Sequence, residues 1–219
     1  MRNRYARPAP RYSSWRLPLT LLAAALPAAA LQAQQRNRDD WQRVPDVMAA
    51  LAIGEGSHVA DVGAGSGYFT AHLSRYVGAS GRVFAEDISE RALAQLRQLV
   101  ESEGLENVEV VRGEIDDPKL PDRSLDAVLV VNAYHMMTEY RAMLSGMYNA
   151  LKPGGRIVII DRVPSDPVAA SDRQTARYEL SIDLVAQELR EAGFQVVDRD
   201  ELFAETGYGG GQWMVIARR

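Results

Sequence analysis

Three glycines on alternate positions, Gly63, Gly65 and Gly67, stand in the run Val-Ala-Asp-Val-Gly-Ala-Gly-Ser-Gly-Tyr-Phe-Thr over 59–70. An apolar run precedes them and a helical pattern follows. Glycines so placed let the backbone bend sharply and lie against a ligand with no Cβ in the way. The next acid at a predicted strand end is Asp87, 20 residues after Gly67. A carboxylate there can accept hydrogen bonds from both hydroxyls of a ribose. The spacing also discriminates between ligands. A dinucleotide loop reads G-x-G-x-x-G, and the third glycine would fall on Tyr68, so a nicotinamide oxidoreductase is the less favoured reading.

Other reactive side chains are sparse. His135, in Asn-Ala-Tyr-His-Met-Met (132–137), follows a predicted strand and titrates near neutrality, so it is a candidate base. Its neighbour Tyr134 is a candidate for shaping a substrate pocket. Asp161 ends another strand, as a functional group or as a solvated strand end. His58 and His72 read as structural. The three histidines have no metal-ligand spacing, so no metal is expected. Tyr148 and Lys152 spell Y-x-x-x-K, a dehydrogenase pair, but at a helix end and without that family's glycine loop, so the match reads as chance. The chain has no cysteine, which excludes disulfides, thiolate nucleophiles and zinc–thiolate sites.

The elements that must position these residues alternate. Strands are expected at His58–Val62, Arg82–Glu86, Val108–Val111, Ala127–Val131, Arg156–Ile160, Phe194–Asp198 and Trp213–Ala217. Helices are expected at Val44–Leu51, Tyr68–Val77, Glu90–Glu103 (capped by Ser89), Tyr140–Leu151 and Asp183–Ala192. Ala127–Val131 is continuously apolar, as in a strand buried on both faces. The expected fold is α/β: a Rossmann-like, doubly wound sheet of seven strands, mostly parallel, with one antiparallel strand near the C-terminus. Ligands on such sheets bind beyond the carboxyl ends of the strands, beside the first.

At this point the sequence resembles the class I S-adenosylmethionine-dependent methyltransferases, in particular the ubiquinone-methyltransferase-like branch. The resemblance covers roughly residues 41–219. It is carried by the glycine run, by Gly-Arg-Val-Phe-Ala-Glu-Asp-Ile-Ser (81–89), by the stretch from Leu120 to His135, and by Leu-Lys-Pro-Gly-Gly-Arg-Ile-Val-Ile-Ile-Asp (151–161). It implies S-adenosylmethionine as cofactor. Asp61, Gly63, Ala64, Gly65 and Gly67 would line its methionine part, Asp87 would hold the ribose hydroxyls, and Ile88 would pack on the adenine. Glu114 and Ile115, or Asp116 in their place, would meet the adenine edge. Asn132 would sit near the methionine carboxylate and the sulfonium. Methyl transfer needs mainly alignment and exclusion of water. A base such as His135 is required only where the acceptor carries a proton.

The first residues belong to a different regime. Five of the 25 lysines and arginines lie in the first sixteen positions and no acid occurs before Asp39, so the remainder carries a formal charge of −9. A run of fifteen residues follows, Leu17 to Leu31, apolar except for Thr20, and then a small-residue exit at Ala33. This is the pattern of a secretory signal peptide over 1–33, too short to span a membrane comfortably. Residues 34–40 are expected as a flexible lead-in and 41–219 as the domain, periplasmic or secreted. A start-site artefact would leave it cytoplasmic. The acidic body gives nucleic acid no electrostatic hold, and a small organic acceptor is expected. Because the cofactor is made in the cytoplasm, an exported binding module that keeps the fold without catalysis is the alternative.

Overall fold

The computed structural model describes residues 38–166, 170, 179–205 and 210–219. The predicted signal peptide lies outside these residues, as does most of the stretch 163–182. The elements in chain order are α1 (Val44–Leu51), β1 (His58–Val62), α2 (Tyr68–Val77), β2 (Arg82–Asp87), α3 (Glu90–Glu103), β3 (Val108–Arg112), β4 (Leu125–Val131), a 3-10 turn (Tyr134–Met136), α4 (Tyr140–Ala150), β5 (Leu151–Arg162), α5 (Ile182–Glu191), β6 (Gln195–Glu205) and β7 (Gly211–Arg218).

One seven-stranded sheet runs β3-β2-β1-β4-β5-β7-β6. Neighbours from β3 to β5 are parallel, and β7 is antiparallel to both β5 and β6. This is the expected doubly wound order, with the chain reversing direction across the sheet between β1 and β4. The centre is dry because alternate residues of β1 and β4 feed different layers. Val59, Ala127 and Leu129 pack under α1 and α2. Ala60, Val62, Val128 and Val130 pack under α4 and α5. None of these seven side chains reaches solvent. Burial of this kind contributes about 25 cal/mol per Å² of apolar surface.

Three local expectations are corrected. β5 starts at Leu151, and Pro153-Gly154-Gly155 lies within it rather than between helix and strand. The chain leaves α4 already in register, with Leu151 paired to Leu125, and an irregularity absorbs the glycines before Arg156 meets Ala127. β6 extends to Glu205 across two irregularities, well beyond Asp198. Ser89 occupies the N-cap of α3, but its side chain makes no cap bond. Its backbone N–H donates to Asp87 Oδ1 at 2.8 Å.

Gly67 fixes how closely α3 approaches the loop. A Cβ there would fall 2.4 Å from Leu99 Cδ2 and 3.0 Å from Leu96 Cδ2, at a φ of +86°. Crowding and backbone strain together make Gly67→Ala destabilising by about 2 kcal/mol. Gly104→Ala is the control, since φ there is +62° with nothing within 4 Å. Urea denaturation of the two variants should show the larger loss at position 67.

Candidate functional site

A cavity of about 400 Å³ opens at the carboxyl ends of β1, β2, β3 and β4. Its floor is the glycine loop. Gly65 N–H donates to Asp87 Oδ2 at 2.9 Å, and Gly63 N–H donates to Glu86 Oε2 at 3.2 Å. The loop is thereby drawn against the end of β2. Gly63 also lets the turn after β4 close in, because a Cβ there would lie 2.4 Å from that of Ala133. Gly65 has nothing within 4 Å of its missing Cβ, so a side chain at that position would project into open space.

Of the eleven residues the resemblance assigns to the cofactor, Asp61, Gly63, Ala64, Gly65, Asp87, Ile88, Glu114, Ile115 and Asn132 line this cavity. Gly67 and Asp116 do not. Gly67 sits behind the loop against α3, and Asp116 belongs to a separate polar recess with Asp117 and Lys119. Ile88 and Ile115 are exposed apolar side chains on the cavity wall, 54% and 57% accessible, which suits the flat face of a base. Asn132 holds a left-handed backbone at φ +52°, and its Oδ1 accepts the Gln212 amide at 3.0 Å. The wall beyond Asn132 is apolar, with Ala133, Met136, Met137 and Met143.

The two candidate catalytic residues are not on this wall. Tyr134 is fully buried and its hydroxyl donates to Glu188 Oε2 at 2.8 Å, so it packs in the core beneath α5 instead of shaping a substrate pocket. His135 turns to Asp161, with Nδ1 2.8 Å from Oδ1 and 2.9 Å from Oδ2. Asp161 is not a solvated strand end. It is 1% exposed and also accepts the backbone N–H groups of His135 and Arg162. With Nδ1 held on a carboxylate, a neutral His135 keeps its lone pair on Nε2. Tyr148 stacks edge-on against Phe194 and Lys152 pairs with Asp126, so the Y-x-x-x-K spacing is incidental. Among the described residues, no group of three or more His, Asp or Glu is placed to hold a metal.

The structure adds residues that spacing did not suggest. Arg38–Asp40, expected as flexible, has helical backbone, and Arg38 reaches the cavity. The Arg38 guanidinium stands 3.6 Å from the Tyr68 ring centre, and the Tyr68 hydroxyl donates to Asp39 at 2.6 Å. Burial, and then the Asp39 carboxylate, push the Tyr68 phenol up. Burial pulls the His72 imidazole down, although Asp39 lies 3.1 Å from its Nε2. Glu86 is the other addition. Two consecutive acids closing an apolar strand were the available signal, since alternation must turn one of them inward.

Burial is also what pushes Asp61 up to about 6, against the opposing Thr70 hydroxyl bond at 2.6 Å. The same cause takes Glu86 to about 8, with the charges of Asp87 and Asp61 adding to it.

The family described as "Methyltransferase domain" matches residues 59–155, the span from β1 to the glycines of β5. The ubiquinone/menaquinone biosynthesis C-methyltransferase of Escherichia fergusonii is 34% identical over 122 residues, 55% of this chain and 48% of that one. The demethylmenaquinone methyltransferase of Geobacillus stearothermophilus is 31% identical over 139 residues, 64% and 58% of the two chains. A SAM-dependent methyltransferase from Aquifex aeolicus superposes with a TM-score of 0.70 at 25% identity, over 89% of this chain and 99% of that one. Residues 59–155 thus match a methyltransferase domain, and the fold is that of an S-adenosylmethionine-dependent methyltransferase. The chain spans about half the length of the curated relatives it matches. At 16% identity, a [4+2]-cyclase shares the fold with a TM-score of 0.68, so the fold alone does not fix the reaction.

The sign of the pH dependence follows from the buried acids. Glu86 binds its proton more tightly folded than unfolded, so its contribution to stability is full below its ordinary pKa of 4.5 and is lost as pH rises to about 8. Glu86→Gln removes that loss. Thermal melts should show the variant gaining on the wild type between about pH 5 and about pH 8, with the largest gap at the alkaline end.

Proposed function

We propose that the chain binds S-adenosylmethionine in this cavity and transfers its methyl group to a small organic acceptor. The observation that carries the reading is the glycine loop tied to Asp87 by the 2.9 Å bond from Gly65, beside an apolar slot formed by Ile88 and Ile115. The residues present fit the cofactor. Asp87 accepts ribose hydroxyls at lone pairs left beside its two backbone bonds. Ile88 and Ile115 cover the adenine. Asp61, Asp87 and Glu114 make the wall acidic, and a ligand with an ammonium and a sulfonium group is attracted to such a wall.

The cofactor supplies a methyl group on a positively charged sulfur, so the protein's task is alignment and dryness. The apolar wall of Ala133, Met136, Met137 and Met143 excludes water beside Asn132. For an acceptor that carries a proton, a base role for His135 requires the acceptor to reach past the cavity wall, since the imidazole, oriented by Asp161, does not line the cavity. The acidic lining favours a small or lipid-like molecule over nucleic acid. The names of the relatives make a ring carbon on a quinone-like molecule the first acceptor to test. The arginine-rich, apolar leader supports export, which places the reaction in the periplasm or outside the cell.

Two measurements test this. Calorimetry should show S-adenosylmethionine and S-adenosylhomocysteine binding and NAD not binding. Asp87→Ala should weaken both by about tenfold or more, the usual loss for a hydrogen bond to a charged group. A folded chain that binds neither would leave the binding-module reading. Expression of the whole chain followed by intact-mass measurement of the secreted fraction should show loss of residues 1–33. Recovery of an uncut chain from the cytoplasm would overturn export.

A further inference from the structure

Glu86 lies on the cavity wall with half of its carboxyl unused. It is 1% exposed. Its Oε2 takes the Gly63 N–H, while its Oε1 is buried with no hydrogen-bond partner among the described residues. The fold makes room for that oxygen. A Cβ on Gly113, the residue after β3, would fall 1.7 Å from Oε1, so a side chain at position 113 is incompatible with the carboxyl as placed. If Glu86 only steadied Gly63, a neutral amide would serve without burying an acid. Buried polar atoms are ordinarily matched, and a lone one on the wall of a ligand cavity points to a ligand atom as its partner. Asp87 differs, because both of its oxygens already hold backbone N–H groups.

We infer that Glu86 is a cofactor-binding residue that keeps its proton and donates it from Oε1 in a hydrogen bond to a lone pair on the adenosine part of the cofactor. The inference rests on the reading of the cavity as an S-adenosylmethionine site. A neutral carboxyl fits both tasks at once, one oxygen accepting from Gly63 and the other donating to the ligand. The charged and titratable groups around it favour the neutral form. Asp61 on β1, Asp87 on β2 and Glu114 after β3 are acids lining the same cavity, with the Tyr68 phenol of α2. The cation on that wall, Arg38, is engaged on the Tyr68 ring. The part of the wall after β4, Val131 to Ala133 with Met136, Met137 and Met143, carries no titratable group. Burial accordingly places the Glu86 proton loss at about 8.

The probe is 5′-methylthioadenosine, which keeps the adenosine part and lacks the titrating amino-acid group. It is titrated calorimetrically into the full chain from about pH 6 to about pH 9.5. The wild-type dissociation constant should stay level up to about pH 8 and then rise, approaching about tenfold per pH unit. Glu86→Gln keeps a donor that does not titrate, so its profile should stay level throughout. Glu86→Ala should weaken binding about tenfold at neutral pH. A wild-type profile that is flat across the range would overturn the inference. So would a dissociation constant that falls above pH 8, or a Glu86→Gln profile that bends as the wild type does. The wild-type profile carries the test even where a variant fails to fold. Binding of S-adenosylhomocysteine at neutral pH separates the two claims. Its absence refutes the cofactor site itself, and its presence beside a flat profile refutes only the role of Glu86.

Discussion

The site depends on a glycine loop pulled against the end of β2 by two neighbouring carboxyls, Asp87 on Gly65 and Glu86 on Gly63. The Ala64 N–H bonds the Glu86 carbonyl of β2, but the N–H groups of Gly63 and Gly65 turn to side chains, and leaving such groups unmatched in a half-buried place is costly. The acids settle that cost and set the height of the cavity floor. Everything above the floor follows from its position: Asn132 across from it, the isoleucines beside it, and the methionine wall behind it.

Holding three acids close together is unfavourable in itself. The fold tolerates this because the sheet beneath is continuous and dry, with β1 and β4 fully buried across their middle. The carboxyls are held on strand ends rather than on mobile loops. Asp61 is countered by the Thr70 hydroxyl, and Asp87 by two N–H groups. The residual imbalance is concentrated on Glu86, the acid with an unmatched oxygen. Binding sites commonly carry such local destabilisation, and a ligand that brings a hydrogen-bonding group relieves it.

On the other side of Asn132 a second buried pair, His135 and Asp161, joins the turn after β4 to the end of β5. Three donors converge on the Asp161 carboxylate, two of them backbone N–H groups. The imidazole is therefore fixed in orientation and tautomer by the strands themselves. The same turn sends Tyr134 the opposite way, into the core under α5.

The sequence by itself determined the order of elements, the single antiparallel strand and nine of the eleven cavity residues assigned by resemblance. Glycine spacing, apolar runs and the acid after β2 are local signals, and each is written in a few adjacent residues. Tertiary structure alone decided which face a side chain takes where neighbours in sequence part company. Tyr134 went to the core and His135 to Asp161 because they are successive residues of a 3-10 turn and so point to different sides, and Glu86 turned inward because β2 alternates. Gly67 and Asp116 lie one step off the cavity for the same kind of reason. What packs against Gly67 is a helix some thirty residues later, and contacts between segments so far apart are set by how the sheet and its helices close.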